Sequence, residues 1–172
     1  MKHDTSLWGF AGFSLTSLVG TLLHFLYDWT GGSLLAAPVS GVNESTWEHM
    51  KLLYVPLLAF ALVQRRTFRD VPSFWCVKLR GTVTGLVLIP VLFYTLNGAF
   101  GKTPDAVNIS IFFVAAAVTF LLETRLLRRG TPCRFPRLAV AALVLIGVLF
   151  FVFTVWPPNL PLFIDPTKNA RP

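Results

Sequence analysis

Residues 138–156, LAVAALVLIGVLFFVFTVW, contain no charged side chain and a single hydroxyl group, that of Thr154. A run of roughly 20 apolar residues is what one helix needs to cross the hydrocarbon core of a bilayer. Pro157 and Pro158 follow directly and disfavour continuation of the helix. The stretch therefore predicts a transmembrane helix, and it sets the pattern to look for in the rest of the chain.

The remaining sequence repeats this pattern. Of its 172 residues, 54% are hydrophobic and only 13% are charged, and the mean hydropathy is +0.64. Soluble domains have about 25% charged residues. Four further apolar segments lie at about residues 7–27, 45–64, 79–100 and 107–122. We therefore predict an all-α, polytopic transmembrane helical bundle of about five spans, forming a single integral membrane domain over residues 1–172.

The basic residues indicate the orientation of the bundle. The net charge is +7, and most of the Lys and Arg side chains fall in two short connectors, at 64–80 and 123–137. Because Lys and Arg in short loops stay on the cytoplasmic side, we expect the N-terminus inside and the C-terminus outside. This pattern accounts for the charge without nucleic acid. The expected partners are the lipid bilayer and either a second copy of the chain or another membrane protein.

Three side chains at the basic end have structural interpretations. Cys76 and Cys133 lie in or beside the two connectors that are predicted to be cytoplasmic, where thiols stay reduced. We therefore expect no disulfide, and two cysteines without a further ligand nearby make a poor metal site. Glu123 is expected to pair with Arg125, Arg128 or a neighbouring arginine.

A concentrated polar cluster is predicted at the opposite, outer face. Asp28 ends the first span, and residues 43–51, NESTWEHMK, open the second. Both segments lie on the predicted outer side, so two antiparallel helices bring them together. The candidate binding residues are His24, Asp28, Asn43, Glu44, Trp47, Glu48, His49 and Lys51.

Helical spacing relates several of these residues to each other. His24 and Asp28 are four residues apart and share a helix face, as do Glu44 and Glu48. A structural explanation also exists for part of the cluster. Ser45 and Glu48 fit a capping box, in which Glu48 reaches back to the Ser45 amide. Further structural explanations concern three side chains: Trp47 and Tyr54 suit an interfacial aromatic belt, and Lys51 can snorkel outward or pair with Glu48.

The chemistry of the cluster leaves three functions open. The first is non-enzymatic binding of a polar ligand, a lipid head group or a protein partner. The second is a membrane-embedded hydrolase or transferase, with His49, Glu48 and Glu44 as catalytic candidates. His24, His49 and Glu44 are then the candidate metal ligands, with zinc as the metal. No other cofactor is predicted, and the enzyme question stays open. The third is a proton or ion conduit, but the spans offer only Glu123 as an acidic group inside the membrane.

The motif at 42–51, VNESTWEHMK, resembles an uncharacterised family of small prokaryotic multi-span membrane proteins with the signature P-V-N-E-S-x-W-E-H-x-K. The end of the first span, HFLYDW at 24–29, matches that family's H-F-x-Y-x-W. The segment PPNLPLFID at 157–165 matches its P-P-x-x-P-L-F-x-D. Gly41 departs from the pattern, because the family has proline there. The resemblance implies a prokaryotic plasma membrane and no assigned activity.

A shorter stretch is similar to the progestin and adipoQ receptor and alkaline ceramidase superfamily. It consists of Asn43, Glu44, Trp47 and His49. Proteins of that superfamily have seven spans and bind zinc through several histidines. Here only His24 and His49 lie on the outer face, since His3 is predicted on the other side. The resemblance therefore implies at most a mixed site of two histidines and a carboxylate.

Overall fold

The computed structural model describes residues 4–101 and 103–167, and within these ranges the chain is all-helical. Five long helices follow one another and are joined by short connectors. They are α1 (Thr5–Trp29), α2 (Thr46–Thr67), α3 (Phe74–Phe100), α4 (Asp105–Arg128) and α5 (Pro136–Val155), with a short 3₁₀ turn at Pro161–Phe163. The predicted helical bundle is confirmed.

Four of the five helices, α1, α3, α4 and α5, are long and apolar enough to cross a membrane. Only 17–33% of the most apolar 18-residue window of each helix is buried inside the protein, as expected for helices with a surface that contacts lipid. α2 is different. It packs against all four other helices and the 3₁₀ turn, and it buries Glu48, Lys51 and Gln64 inside the protein. Its lower hydropathy follows from this central place, because polar groups are tolerated where other helices shield them from lipid.

The helices extend beyond the segments that hydropathy marks. The largest differences lie at the basic end, where α3 begins at Phe74 and not near residue 79, and α4 continues to Arg128 and not only to 122. Hydropathy detects the part of a helix inside the hydrocarbon, whereas the helix itself continues into the charged interface. Arg125 and Arg128 in the last turn of α4 also interact favourably with the negative end of the helix dipole.

Glycine allows α1 to approach its neighbours closely. A Cβ atom on Gly20 would lie 2.8 Å from the backbone oxygen of Leu52 on α2. A Cβ on Gly12 would lie 2.3 Å from the ring of Phe120 on α4. This close packing of α1 through its glycines sets the spacing between the two helices that carry His24 and His49.

Glu123 pairs with a residue that the sequence did not indicate. The partner is Lys78 on α3, whose Nζ lies 2.5 Å from Glu123 Oε2. Both side chains are buried, and three aromatic rings, those of Phe60, Phe74 and Phe120, lie within 5.7 Å of the ammonium group. The expected pairing with Arg125 or Arg128 is wrong. Glu123 faces inward from α4 towards α3, while Arg128 turns to the hydroxyl groups of Thr5 and Ser6.

The expectation of two reduced cysteines is also wrong. Cys76 and Cys133 form a disulfide, with their Cα atoms 5.9 Å apart. The pairing arises because α3 and α4 pack closely side by side. The first turn of α3 thus lies beside the connector that follows α4, although 57 positions separate the two cysteines in the sequence. Disulfides persist in oxidising compartments, so this bond and the basic charge of the same connectors point to opposite sides of the membrane.

Candidate functional site

The connector between α1 and α2, residues 30–45, consists of successive turns and is fastened to the bundle by a buried lysine. Lys51, on the second turn of α2, donates to the backbone oxygen of Ala37 at 2.7 Å. It also donates to Thr154 Oγ1 at 3.0 Å and lies 2.6 Å from Glu48 Oε2. The three protons of the ammonium group therefore have three acceptors. The expected pairing of Lys51 with Glu48 is confirmed, whereas outward snorkelling is wrong, because the residue is fully buried.

Glu48 completes this network from the other side. Its Oε2 accepts from the backbone amide of Val42 at 3.0 Å, and its Oε1 accepts from Thr154 Oγ1 at 2.9 Å. The carboxylate is buried and has a partner on each oxygen. Glu48 and Lys51 thus hold the connector, α2 and α5 together. Both side chains were predicted to bind a ligand, and in this arrangement both are buried and have partners within the protein.

The start of α2 is capped, but only half of the predicted capping box forms. Ser45 Oγ accepts from the amide of Glu48 at 3.4 Å, as expected. The amide of Ser45 donates to Asn43 Oδ1 at 2.9 Å and not to Glu48, because the Glu48 carboxylate is already bound to Val42 and Lys51. Asn43 is therefore a turn-forming residue of the connector, directly before Glu44.

The side chains that do face each other at the surface are His24, Glu44 and His49, which we call the His–Glu triad. His24 Nε2 lies 3.7 Å from Glu44 Oε1, and His49 Nε2 lies 3.5 Å from Glu44 Oε2. The two imidazole rings are 5.5 Å apart, centre to centre. One ligand atom from each residue falls within 4.8 Å of the other two. The three side chains come from α1, the connector and α2, so the fold assembles the triad from separate elements.

A backbone contact orients one member of the triad. His49 Nδ1 lies 3.0 Å from the carbonyl oxygen of Ser45. Since a carbonyl can only accept, Nδ1 must carry the proton in this contact, and the neutral ring then has its lone pair on Nε2. That is the nitrogen that faces Glu44. Metal-binding histidines commonly donate their second ring nitrogen to a carbonyl in this way.

Two predicted members lie apart from the triad. Asp28 is exposed at the end of α1, and within the described part of the chain His24 faces Glu44 and not Asp28. Trp47 was expected in an interfacial belt, but its ring packs against those of Phe150, Phe153 and Phe163. Tyr54, predicted in the same belt, is buried and donates to the backbone oxygen of Leu143 at 2.6 Å. Both aromatic rings hold α5 and the tail against α2.

Sequence reasoning missed the partners that complete the buried network. Thr154 has the only hydroxyl group in residues 138–156, and that isolation was the available signal. A lone hydroxyl near the end of an apolar helix can be explained by an internal hydrogen-bond partner, here Glu48 and Lys51. The sequence could not indicate Ala37 as a partner of Lys51, because the group that accepts the hydrogen bond is a backbone carbonyl, which every residue has.

The fold and the triad define a multi-pass α-helical membrane protein with a histidine–carboxylate cluster at one end of the bundle. The chain belongs to a family of unknown function, DUF6512, whose model matches residues 1–170. The match confirms the resemblance to a family without assigned activity. No curated protein and no solved structure matches the chain.

Proposed function

We propose that this membrane protein binds a divalent transition metal ion, best suited to zinc, through His24, Glu44 and His49. The observation that carries the proposal is the mutual approach of three ligand atoms within 4.8 Å. In a tetrahedral zinc site with ligands at about 2.0–2.1 Å, neighbouring ligand atoms lie about 3.3 Å apart. The nitrogen–oxygen distances of 3.7 Å, from His24 to Oε1, and 3.5 Å, from His49 to Oε2, are close to that value. The three ligand atoms within 4.8 Å would draw together by up to about 1.5 Å on binding the ion.

The chemistry of the three groups also supports zinc. Imidazole nitrogen and carboxylate oxygen are both common zinc ligands. The orientation of His49 by the Ser45 carbonyl leaves Nε2 as the coordinating atom without any change of rotamer. One carboxylate between two neutral imidazoles leaves a net positive charge on a bound divalent ion. The site would therefore attract a further anionic or polar ligand.

Three protein ligands leave one coordination position open, which is typical of catalytic and not of structural zinc sites. This feature favours the second candidate function, a metal-dependent hydrolase or transferase in the membrane. In that function Glu44 and His49 are metal ligands, and Glu48 is not the general base, because both of its oxygens are held by Val42, Lys51 and Thr154. A water molecule in the open position would supply the nucleophile.

We place the triad on the extracytoplasmic side of a plasma membrane because of the basic connectors at the opposite end. Lys and Arg act on orientation while the helices are inserted. A disulfide forms later, wherever two thiols meet under oxidising conditions. The Cys76–Cys133 bond favours the opposite orientation, because disulfides persist in oxidising compartments. We give precedence to the charge pattern, because it acts when the helices are inserted.

The first test is metal analysis of the detergent-purified protein after zinc loading and dialysis. We expect about one zinc per chain in the wild type and none in His24→Ala/His49→Ala. Asp28→Asn is the matched control, because Asp28 is an exposed carboxylate at the same end that lies outside the triad, and it should keep the metal. A wild type without zinc, or a double variant that retains it, would contradict the proposal.

A further inference from the structure

A small cavity opens beside the triad, between α2, α3 and α4. Its volume is about 40 Å³. Its polar lining residues are Glu44, Thr46, His49 and Asn108, and its apolar lining residues are Ile89, Phe93, Ile111 and Phe112. One water needs about 10–15 Å³ of such volume, so the cavity has room for roughly three atoms of that size. A group bound there would lie beside Glu44 and His49 of the triad and beside Asn108.

The hydrogen bonds of Thr103 and Asn97 determine which end of the Asn108 side-chain amide is the oxygen and which is the nitrogen. The backbone amide of Thr103 can only donate, and it lies 3.0 Å from Asn97 Oδ1. This contact identifies the oxygen of Asn97 and therefore its nitrogen. Asn97 Nδ2 then donates to Asn108 Oδ1 at 3.2 Å. Asn108 Oδ1 also lies 2.9 Å from the hydroxyl of Thr103.

The consequence is that Asn108 offers donors to the cavity. Its oxygen is occupied by Asn97 and Thr103, while its Nδ2 has no hydrogen-bond partner among residues 4–101 and 103–167. A bound metal would place positive charge at the Glu44–His49 side of the same cavity. A metal ion and an amide donor that line the same small space fit an anion with two oxygens on one carbon.

We propose that the cavity is a carboxylate subsite, in which one oxygen of the ligand binds the metal and the other accepts from Asn108 Nδ2. This inference rests on the proposed metal site. The apolar wall of Ile89, Phe93 and Phe112 excludes bulkier, fully hydrated anions such as sulfate, since it offers them no donors. The carboxylate comes either from a soluble short-chain acid or from a fatty acid in the bilayer.

Absorption spectroscopy of the cobalt(II)-loaded protein tests both proposals, because the absorption of bound cobalt depends on its ligands. Purified protein in carboxylate-free buffer is loaded with Co²⁺ and titrated with sodium acetate, with sodium chloride at equal ionic strength as the control. We expect acetate, and not chloride, to change the cobalt spectrum. A second titration with octanoate identifies the source: affinity at least tenfold above acetate assigns a fatty acid, and equal affinity assigns a soluble acid.

Two variants test the role of Asn108. Asn108→Leu removes the donor, and Asn108→Asp keeps the shape and the contacts of Oδ1 but replaces the donor with an acceptor. We expect cobalt affinity within about twofold of the wild type in both, and acetate affinity at least about tenfold lower, the value of one hydrogen bond to a charged group.

The outcomes separate the two proposals. If the wild type binds cobalt and acetate leaves its spectrum unchanged, or if both variants bind acetate as the wild type does, the carboxylate subsite is wrong and the metal site stands. If the wild type does not bind cobalt, the metal site is wrong and the subsite falls with it.

Discussion

Glu44 and Glu48 lie one helical turn apart in the sequence, yet the structure gives them opposite environments. Glu48 is buried, and both of its oxygens accept hydrogen bonds from groups of the protein. The side chain of Glu44 is 45% exposed, and its close partners among residues 4–101 and 103–167 are two histidines that need not be charged. The Glu48 carboxylate is therefore fully occupied by partners within the protein, whereas the Glu44 carboxylate can still coordinate a ligand.

The difference teaches how to separate structural from functional polar groups in a membrane protein. A buried charge in a bundle is costly unless it is fully paired, and Glu48 with Lys51 meets this condition within the protein. Polar side chains that converge without saturating each other, as the triad does, have capacity left for a ligand. The distinction can be tested, because the two groups should respond oppositely to mutation and to metal.

The largest effect is expected for Lys51→Met, which removes one partner of the buried pair. Glu48 would keep Val42 and Thr154 but lose the ammonium group at 2.6 Å. Leaving one member of a buried pair uncompensated costs about 3–5 kcal/mol. We expect a correspondingly large fall in the melting temperature in detergent, followed by circular dichroism.

The double variant Glu48→Gln/Lys51→Met is the control, because it removes both charges and keeps acceptor and donor groups near Val42 and Thr154. It should recover most of the lost stability. If Lys51→Met melts within about one degree of the wild type, the pair does not hold the connector and the contrast with Glu44 disappears.

Much of this fold could be predicted from the sequence because each membrane-spanning helix needs its own run of apolar residues, and each run can be recognised separately. The apolar run at 138–156 and its four counterparts indicated all five helices, including the central α2. Pairing across helices has no such signal. Two examples are the Lys78–Glu123 pair and the Cys76–Cys133 disulfide, which form because particular helices pack side by side. Neither hydropathy nor charge counting shows which helices are neighbours.

An intermediate effect is expected for Gly20→Ala, which acts on the spacing between the two histidines. The new Cβ would lie 2.8 Å from the Leu52 backbone oxygen, an atom that cannot move away without shifting α2. Overpacking of this kind costs about 1–3 kcal/mol. It should also weaken zinc binding, because α1 carries His24 and α2 carries His49.

Gly98→Ala is the matched substitution, since in the described part of the chain a Cβ at that helical position would have no neighbour within 4 Å beyond its own stretch of helix. It should be neutral or stabilising by up to about 1 kcal/mol, because alanine favours the helix. Thermal melts and zinc titrations of the two variants give the comparison. Equal behaviour of both would mean that close packing of α1 on α2 does not determine the geometry of the triad.

The residues of the candidate site could be predicted from the sequence, but the sequence did not show which of them are buried in the bundle and which form the triad at the surface. Histidines near the membrane boundary and the NESTWEH motif at 43–49 identified the region, and they named His24, Glu44 and His49 as metal-ligand candidates. The sequence assigned Glu48, Lys51 and Trp47 to the same surface, because one turn of helix brings all of them to the same end of the bundle. Burial then separated the two groups, and burial depends on where α5 and the tail pack.

The smallest effect on the metal-free protein, and the sharpest contrast with Glu48, is expected for Glu44→Gln. The side chain is partly exposed, so the change should alter metal-free stability by no more than about 0.5 kcal/mol. With zinc at one hundred times its dissociation constant, binding should stabilise the wild type by about 2.7 kcal/mol. Glu44→Gln should lose most of this gain, because an amide is a poor zinc ligand. Paired thermal melts with zinc and with a chelator measure both quantities, and a variant that keeps the full gain would exclude Glu44 from the metal site.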